Sequence, residues 1–288
     1  MATCEQDINC SQCNSSQECS QDEKQRHQDE RLQKQLRQIQ HTLVVMSGKG
    51  GVGKSTVATN LAVTLAQRNH IVGLMDADIH GPNIPKMLGM EDAQLMSTGD
   101  GLKPIMYYPN LKVMSVAFML QSRDDAVIWR GPLKHAVIRQ FVSDVHWGEL
   151  DYLIVDLPPG TGDEPLSVAQ TMGQVDGAII VTTPQDVALL DARKSITFAR
   201  MLNMPVRGIV ENMSGFICPH CGKRTDIFKT GGGEKAAEEM HVPFLGRIPL
   251  DPSVVTLCDD GKPYVERFPF SEITQAFLQI ADQCENWR

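Results

Sequence analysis

No apolar run in this chain approaches the roughly 18 residues of a membrane-spanning helix, which excludes a helical membrane protein. Nor is there an excess of positive charge: 27 Lys and Arg stand against 35 Asp and Glu, a formal net charge of −8. A general nucleic-acid binder or an anionic-membrane binder needs basic surface, so neither partner is expected. Nor is a targeting peptide expected, because residues 1–30 are polar and acidic without an apolar stretch, whereas transit peptides avoid acids. These absences predict a soluble, cytoplasmic protein. At 288 residues the chain has the length for one large α/β domain, or a moderate domain with an appendage, with a sizeable core.

The most informative segment is Gly48-Lys49-Gly50-Gly51-Val52-Gly53-Lys54-Ser55-Thr56. It follows the apolar run 42–46 and precedes an alternating apolar stretch, so it reads as strand, phosphate loop and helix. In such a loop the glycines let successive backbone N–H groups close around phosphates. Lys54 then reaches the β- and γ-phosphates and the Ser55 hydroxyl reaches Mg²⁺. Lys49 narrows the class further, since one loop cannot readily aim both lysines at its own phosphate. Loops of this form resemble the deviant phosphate loops of dimeric ATPases, in which the second lysine crosses to the partner's nucleotide.

Residues 1–41 contain ten Gln, seven acids and five bases with almost no apolar side chains, and cannot build a core. They read as a Cys-rich, largely polar N-terminal extension to a nucleotide-binding domain spanning 42–288. Within the extension, Leu32, Leu36 and Ile39 lie at helical spacing, which allows either a docked helix or a solvated linker. From Thr42 onward, strand-like runs near 42–46, 71–75, 111–115, 152–156, 177–182, 206–211 and 243–247 alternate with helical patterns at 54–67, 134–145, 164–172, 187–202, 234–240 and 271–283. That alternation predicts an α/β fold, a doubly wound and mostly parallel sheet of about seven to eight strands with helices on both faces. The stretch 91–110 shows no period and is expected as a surface excursion.

Ligands of such sheets gather at the carboxyl ends of strands. There the chain places Asp76-Ala77-Asp78-Ile79-His80-Gly81-Pro82-Asn83 after one strand and Asp156-Leu157-Pro158-Pro159-Gly160-Thr161-Gly162-Asp163 after another. Mg²⁺ wants hard oxygen ligands, and phosphoryl transfer to water needs an oriented nucleophile and a sensor of the γ-phosphate. Asp156 is accordingly expected at Mg²⁺, often through water, Asp78 to position water, and the Gly160 amide to sense the γ-phosphate.

Cysteine is unevenly spread. Of eight, Cys4, Cys10, Cys13 and Cys19 crowd the first nineteen residues and Cys218 and Cys221 form a Cys-Pro-His-Cys turn. Beside a phosphate loop, clustered thiols point to metal ligation rather than disulfides. A CxxC supplies only two of the four ligands that zinc or an iron–sulfur cluster usually needs, so it requires a distant pair or a second copy across a twofold axis. A bridging 4Fe-4S cluster, a structural zinc and a thiol redox pair all remain compatible with these residues. The tail's four thiols could wrap a cluster or zinc without a prior scaffold. Cys258 and Cys284 stand alone and are expected as packed or idle thiols rather than ligands.

With the phosphate loop, DADIHGPN, RGP at Arg130–Pro132, WGELDYLIVDLPPGTGDEPL, VENMSGFICPHCG, GGGEK and VPFLGRIPLDP, the chain resembles the Mrp/ApbC group of iron–sulfur cluster carrier ATPases from about Thr42 to Tyr264. This group lies within the dimeric class that includes MinD, ParA and the nitrogenase iron protein. The resemblance implies a homodimer that hydrolyses ATP, bridges a labile 4Fe-4S cluster through Cys218 and Cys221 of each subunit, and hands it to apo iron–sulfur proteins alongside cluster-assembly factors. It also implies Lys49 acting across the dimer, Thr56 on phosphate, Asn212 on adenine, and Asp78 and Asp163 in nucleotide-responsive switch segments. The catalytic set is then Lys49, Lys54, Asp78 and Asp156. The tail resembles the Nbp-type branch of the group, matching its spacing at Cys10, Cys13 and Cys19, whereas Cys4 lies closer than that pattern has it. Two rivals remain in view: a MinD- or ParA-like positioning ATPase with zinc at the CxxC, and an electron donor like the nitrogenase iron protein. The segment 271–288 speaks against a membrane anchor, because Ile273, Phe277 and Ile280 share a face while the charges are mostly acidic.

Overall fold

The computed structural model describes residues 20–98, 101–119, 141, 143–173, 175–218 and 220–287. In chain order the elements are α1 (Gln21–Leu36), β1 (Ile39–Met46), α2 (Lys54–Gln67), β2 (Val72–Asp76), α3 (Ile84–Met87), β3 (Met96–Thr98), β4 (Gly101–Lys103), β5 (Ile105–Tyr108), β6 (Leu111–Ser115) and β7 (Leu150–Asp156). They continue with α4 (Asp163–Met172), β8 (Gly177–Thr182), α5 (Asp186–Met201), β9 (Val206–Ile217), β10 (Arg224–Thr225), α6 (Gly232–Met240), β11 (Phe244–Leu250), α7 (Pro252–Asp259), α8 (Tyr264–Arg267) and α9 (Glu272–Glu285).

The main sheet has nine strands in the order β10-β9-β8-β1-β7-β2-β6-β5, with β11 also paired to β9. The central pairings are parallel, while β5 and β10 add antiparallel edges. Period-2 alternation sends the side chains of each central strand to two cores. Leu43 and Val45 of β1 join Leu61 of α2 and Phe277 and Ile280 of α9 on one face. Val44 and Met46 join Val168 of α4, Ile196 of α5 and Ala236 of α6 on the other. The expected mostly parallel, doubly wound α/β sheet is therefore present.

The structure adds detail to three expectations. The stretch 91–110, expected as a surface excursion, contains a β3–β4 hairpin and the edge strand β5, which pairs with β6. The extension's second half is a helix: Ser20 caps α1 in a reciprocal bond with Glu23, and Leu32 is buried in the second core. The first strand begins at Ile39, three residues ahead of the boundary drawn at Thr42. The C-terminal helix packs on the core as expected. Cys4, Cys10, Cys13, Cys19, the motif at Arg130–Pro132 and most of the helix expected over 134–145 lie outside the described residues. No helix of the described residues is long and apolar enough to cross a membrane.

Candidate functional site

The phosphate loop joins β1 to α2 at the carboxyl edge of the sheet, and its glycines divide by what surrounds them. A Cβ on Gly48 would lie 2.2 Å from the Asp191 carbonyl oxygen of α5, and one on Gly53 only 2.1 Å from the Asn212 amide nitrogen. These two seat the loop against α5 and β9. Gly53 also holds φ +83°, which L side chains avoid. A Cβ on Gly50 or Gly51, by contrast, would meet no atom within 4 Å, so the crest of the loop borders open space.

Lys54 opens α2 and is 6% exposed, and its ammonium donates to Oδ1 of the fully buried Asp156 at 2.7 Å. The same ammonium lies 3.3 Å from the Ser55 hydroxyl. Strand register sets Asp156 beside Asp76, the last residue of β2. Asp76 accepts from the Ser115 hydroxyl at 3.1 Å, the Ile84 N–H at 3.3 Å and the Asp78 N–H at 3.2 Å. Burial first, and then the neighbouring Asp156, pushes the Asp76 carboxyl up to about 8. Burial likewise raises Asp156, with Lys54 opposing it. One ammonium thus faces two buried carboxyl groups, and Oδ2 of Asp156 has no hydrogen-bond partner among the described residues. An orphaned carboxylate oxygen and a hydroxyl in a site short of positive charge suit a hard divalent cation such as Mg²⁺.

Asp76 was the less prominent of the two acids in its segment when read as sequence. Its signal was present, because it is the residue that closes the buried strand, whereas Asp78 lies two residues beyond. Asp78 is half-buried and its Oδ1 accepts the Gly81 N–H at 3.3 Å, within its own turn. The Gly160 amide donates to the Ser47 carbonyl at 2.8 Å, and a Cβ on Gly160 would meet nothing within 4 Å. Asp163, at the start of α4, is exposed. Asn212 donates from its side-chain amide to the Val52 carbonyl at 2.9 Å, which fastens β9 to the phosphate loop. Thr56 hydrogen-bonds the half-buried Cys258 thiol, and Cys284 is buried. Lys49 is half-buried, and its carbonyl accepts the Ser47 hydroxyl at 2.9 Å.

The second constellation sits at the end of β9. Phe216 and Ile217 pair with Thr225 and Arg224 of β10, the Cys218 N–H donates to the Lys223 carbonyl at 3.0 Å, and the Gly222 N–H donates to the Cys218 carbonyl at 2.8 Å. This hairpin carries Cys218 and Cys221 at its tip, with Cys221 and His220 exposed. The His220 N–H, then the Cys221 N–H and thiol, hold the Cys218 thiol below its ordinary pKa. A thiol tuned in this way favours thiolate, the metal-binding form. Among the described residues no group of three or more His, Cys, Asp or Glu could hold a metal ion, so the hairpin offers its two thiols alone. Ile217 and Ile227, 49% and 53% exposed, border it.

The family described as ParA: NUBPL iron-transfer P-loop NTPase matches residues 38–285. The chain is 53% identical over 266 residues to an iron–sulfur cluster carrier protein of Methanocaldococcus jannaschii, covering 92% of this chain and 91% of the relative. Among solved structures, a nucleotide-binding protein of Archaeoglobus fulgidus in complex with ADP, in which cobalt was also found, is 41% identical with TM-score 0.73, covering 85% of this chain and 98% of that one. The cell division ATPase MinD of Pyrococcus furiosus is 25% identical with TM-score 0.64, covering 86% of this chain and all (100%) of that one.

Proposed function

The chain belongs to the iron-transfer P-loop NTPases of the NUBPL kind, and on that footing we propose that it is an ATP-hydrolysing carrier of iron–sulfur clusters. Its cargo is a labile 4Fe-4S cluster held between two copies of the chain by Cys218 and Cys221 of each, then passed to apo iron–sulfur proteins. One observation carries this reading: β9 holds the phosphate loop at Asn212 and the cysteine pair just past its end. Cys218 lies six positions after Asn212, no more than about 20 Å of extended chain. Nucleotide chemistry and cargo therefore share one structural member.

In this reading Lys54 exchanges Asp156 for the β- and γ-phosphates, and the backbone of Gly48 to Gly53 with Thr56 cradles them. Ser55, and Asp156 through water, would hold Mg²⁺. Bound Mg²⁺ supplies neutralisation of the charge that develops on the phosphoryl oxygens. Asp78 orients water, Lys49 reaches the partner's nucleotide and Asn212 meets adenine. The Gly160 amide leaves the Ser47 carbonyl for the γ-phosphate, which makes this loop sensitive to hydrolysis. Asp163, at the end of the same loop, moves with it. Cys10, Cys13 and Cys19, with Cys4, form a second cluster site on the extension.

The rival of a zinc-stapled positioning ATPase shares the nucleotide site, so the cargo decides between them. The test follows cluster transfer from the anaerobically loaded protein to apo-aconitase without nucleotide, with ADP and with ATP. Transfer rates that differ at least about fivefold between nucleotide states are expected. Equal rates in all three would overturn the coupling.

A further inference from the structure

We infer that Glu211 is the positioning residue that passes nucleotide state to the cysteine hairpin; this rests on the coupling proposed above. Glu211 lies in β9 with its side chain fully buried. A carboxylate taken out of water needs compensation, and a buried polar group adds little stability over an apolar side chain of similar size. The partners this one gathers are therefore informative. Ser214 donates its hydroxyl at 2.5 Å, Gly231 its N–H at 2.9 Å, and Gly233 its N–H as well, while the Arg247 guanidinium lies 3.4 Å away. Thr230 and Ser214 close the ring through their hydroxyls at 3.0 Å.

Ser214 and residues 230–233 are the two ends of the segment that carries Cys218 and Cys221. Glu211 thus clamps the base of the cysteine loop on both sides, at the N-terminus of α6, where the helix dipole favours a negative charge. The next residue is Asn212, bonded to Val52 of the phosphate loop. Successive strand residues point to opposite faces, so one peptide unit carries a contact to the nucleotide loop on one side and to the cysteine loop on the other. Between these contacts and the thiols the strand is irregular: Met213 and Gly215 hold φ +56° and +81°, and the register with β11 shifts between Ile248 and Leu250. A displacement of Asn212 is thereby delivered to both ends of the loop together, and the loop moves as a unit rather than fraying at one end.

The experiment compares loaded wild type, Glu211→Gln and Ser214→Ala, with apo-aconitase as the probe recipient and ATP, ADP or no nucleotide present. The expected result is a wild-type rate ratio between ATP and ADP states that collapses to about 1 in Glu211→Gln and falls partway in Ser214→Ala. Iron content and ATP affinity stay within about twofold of wild type. A Glu211→Gln protein that keeps the full ratio would overturn the inference. So would one whose loading falls equally in every nucleotide state with the ratio intact, since that marks a purely structural role. Should Glu211→Gln fail to fold, Ser214→Ala decides alone, and an unchanged ratio there overturns the inference. A wild-type ratio of 1 instead removes the coupling itself.

Discussion

Replacing Lys54 by alanine is expected to lower ATP hydrolysis at least about 100-fold, because the loop loses the cation that stabilises charge on the transferring phosphoryl group. The same change should cost folding stability. Lys54 and Asp156 form a buried ion pair at 2.7 Å, and removing one member of such a pair typically costs about 3–5 kcal/mol, since the remaining charge is left uncompensated. The pH dependence has a definite sign. Burial already raises Asp156 with Lys54 opposing, so without Lys54 its folded-state pKa rises further above the unfolded value. A carboxyl raised in this way favours the folded state at low pH and loses that contribution as pH climbs through the folded pKa. The variant's deficit should therefore be larger at pH 8 than at pH 6 in thermal unfolding. Adding Asp156→Asn should restore much of the stability and none of the hydrolysis, which separates the two effects. A Lys54→Ala protein that hydrolyses ATP near the wild-type rate would remove this loop from the chemistry.

Replacing Cys218 by alanine is expected to abolish cluster loading while ATP affinity stays within about twofold. The two constellations share β9 but no side chain. Cys218 sits at the hairpin tip, held by the His220 and Cys221 N–H groups, and contributes nothing to the phosphate loop. Each copy offers two thiols, so losing one per chain leaves two of four ligands at a twofold site, too few for a stable cluster. Anaerobic reconstitution followed by iron and sulfide counts, with nucleotide titration on the same sample, checks both halves. Joint loss of cluster and ATP binding would point to a folding defect.

Much of this was legible in the residues. The strand at 177–182 and the helix at 54–67 coincide with β8 and α2, because buried parallel strands are unbroken apolar runs and a phosphate loop fixes where its helix begins. The short strands β3 and β4 escaped notice for the opposite reason: three residues each are too few to display a period. The helix α7 is only eight residues long and half-buries a short stripe, Val254, Leu257 and Cys258, too brief to display a period, although Asp251 before Pro252 is a readable start signal, its carboxylate accepting the Ser253 N–H. In the site, the acids at strand ends announced themselves, but which of Asp76 and Asp78 faces Asp156 depends on strand register, which sequence does not specify. Glu211 is an acid directly after the buried apolar pair Ile209 and Val210 of β9. That is visible in sequence, yet its meaning lies in the Gly231–Gly233 turn brought to it by α6.

The most direct test of the account is anaerobic reconstitution of a Cys4/Cys10/Cys13/Cys19→Ala variant with iron and sulfide, read by visible absorption, iron and sulfide counts and mass in solution. Four irons per dimer with broad absorption near 400 nm, about the region of iron–sulfur charge transfer, is the predicted result, and it assigns the bridge to Cys218 and Cys221. A colourless dimer retaining one zinc would contradict it and leave a zinc-stapled regulatory ATPase in its place.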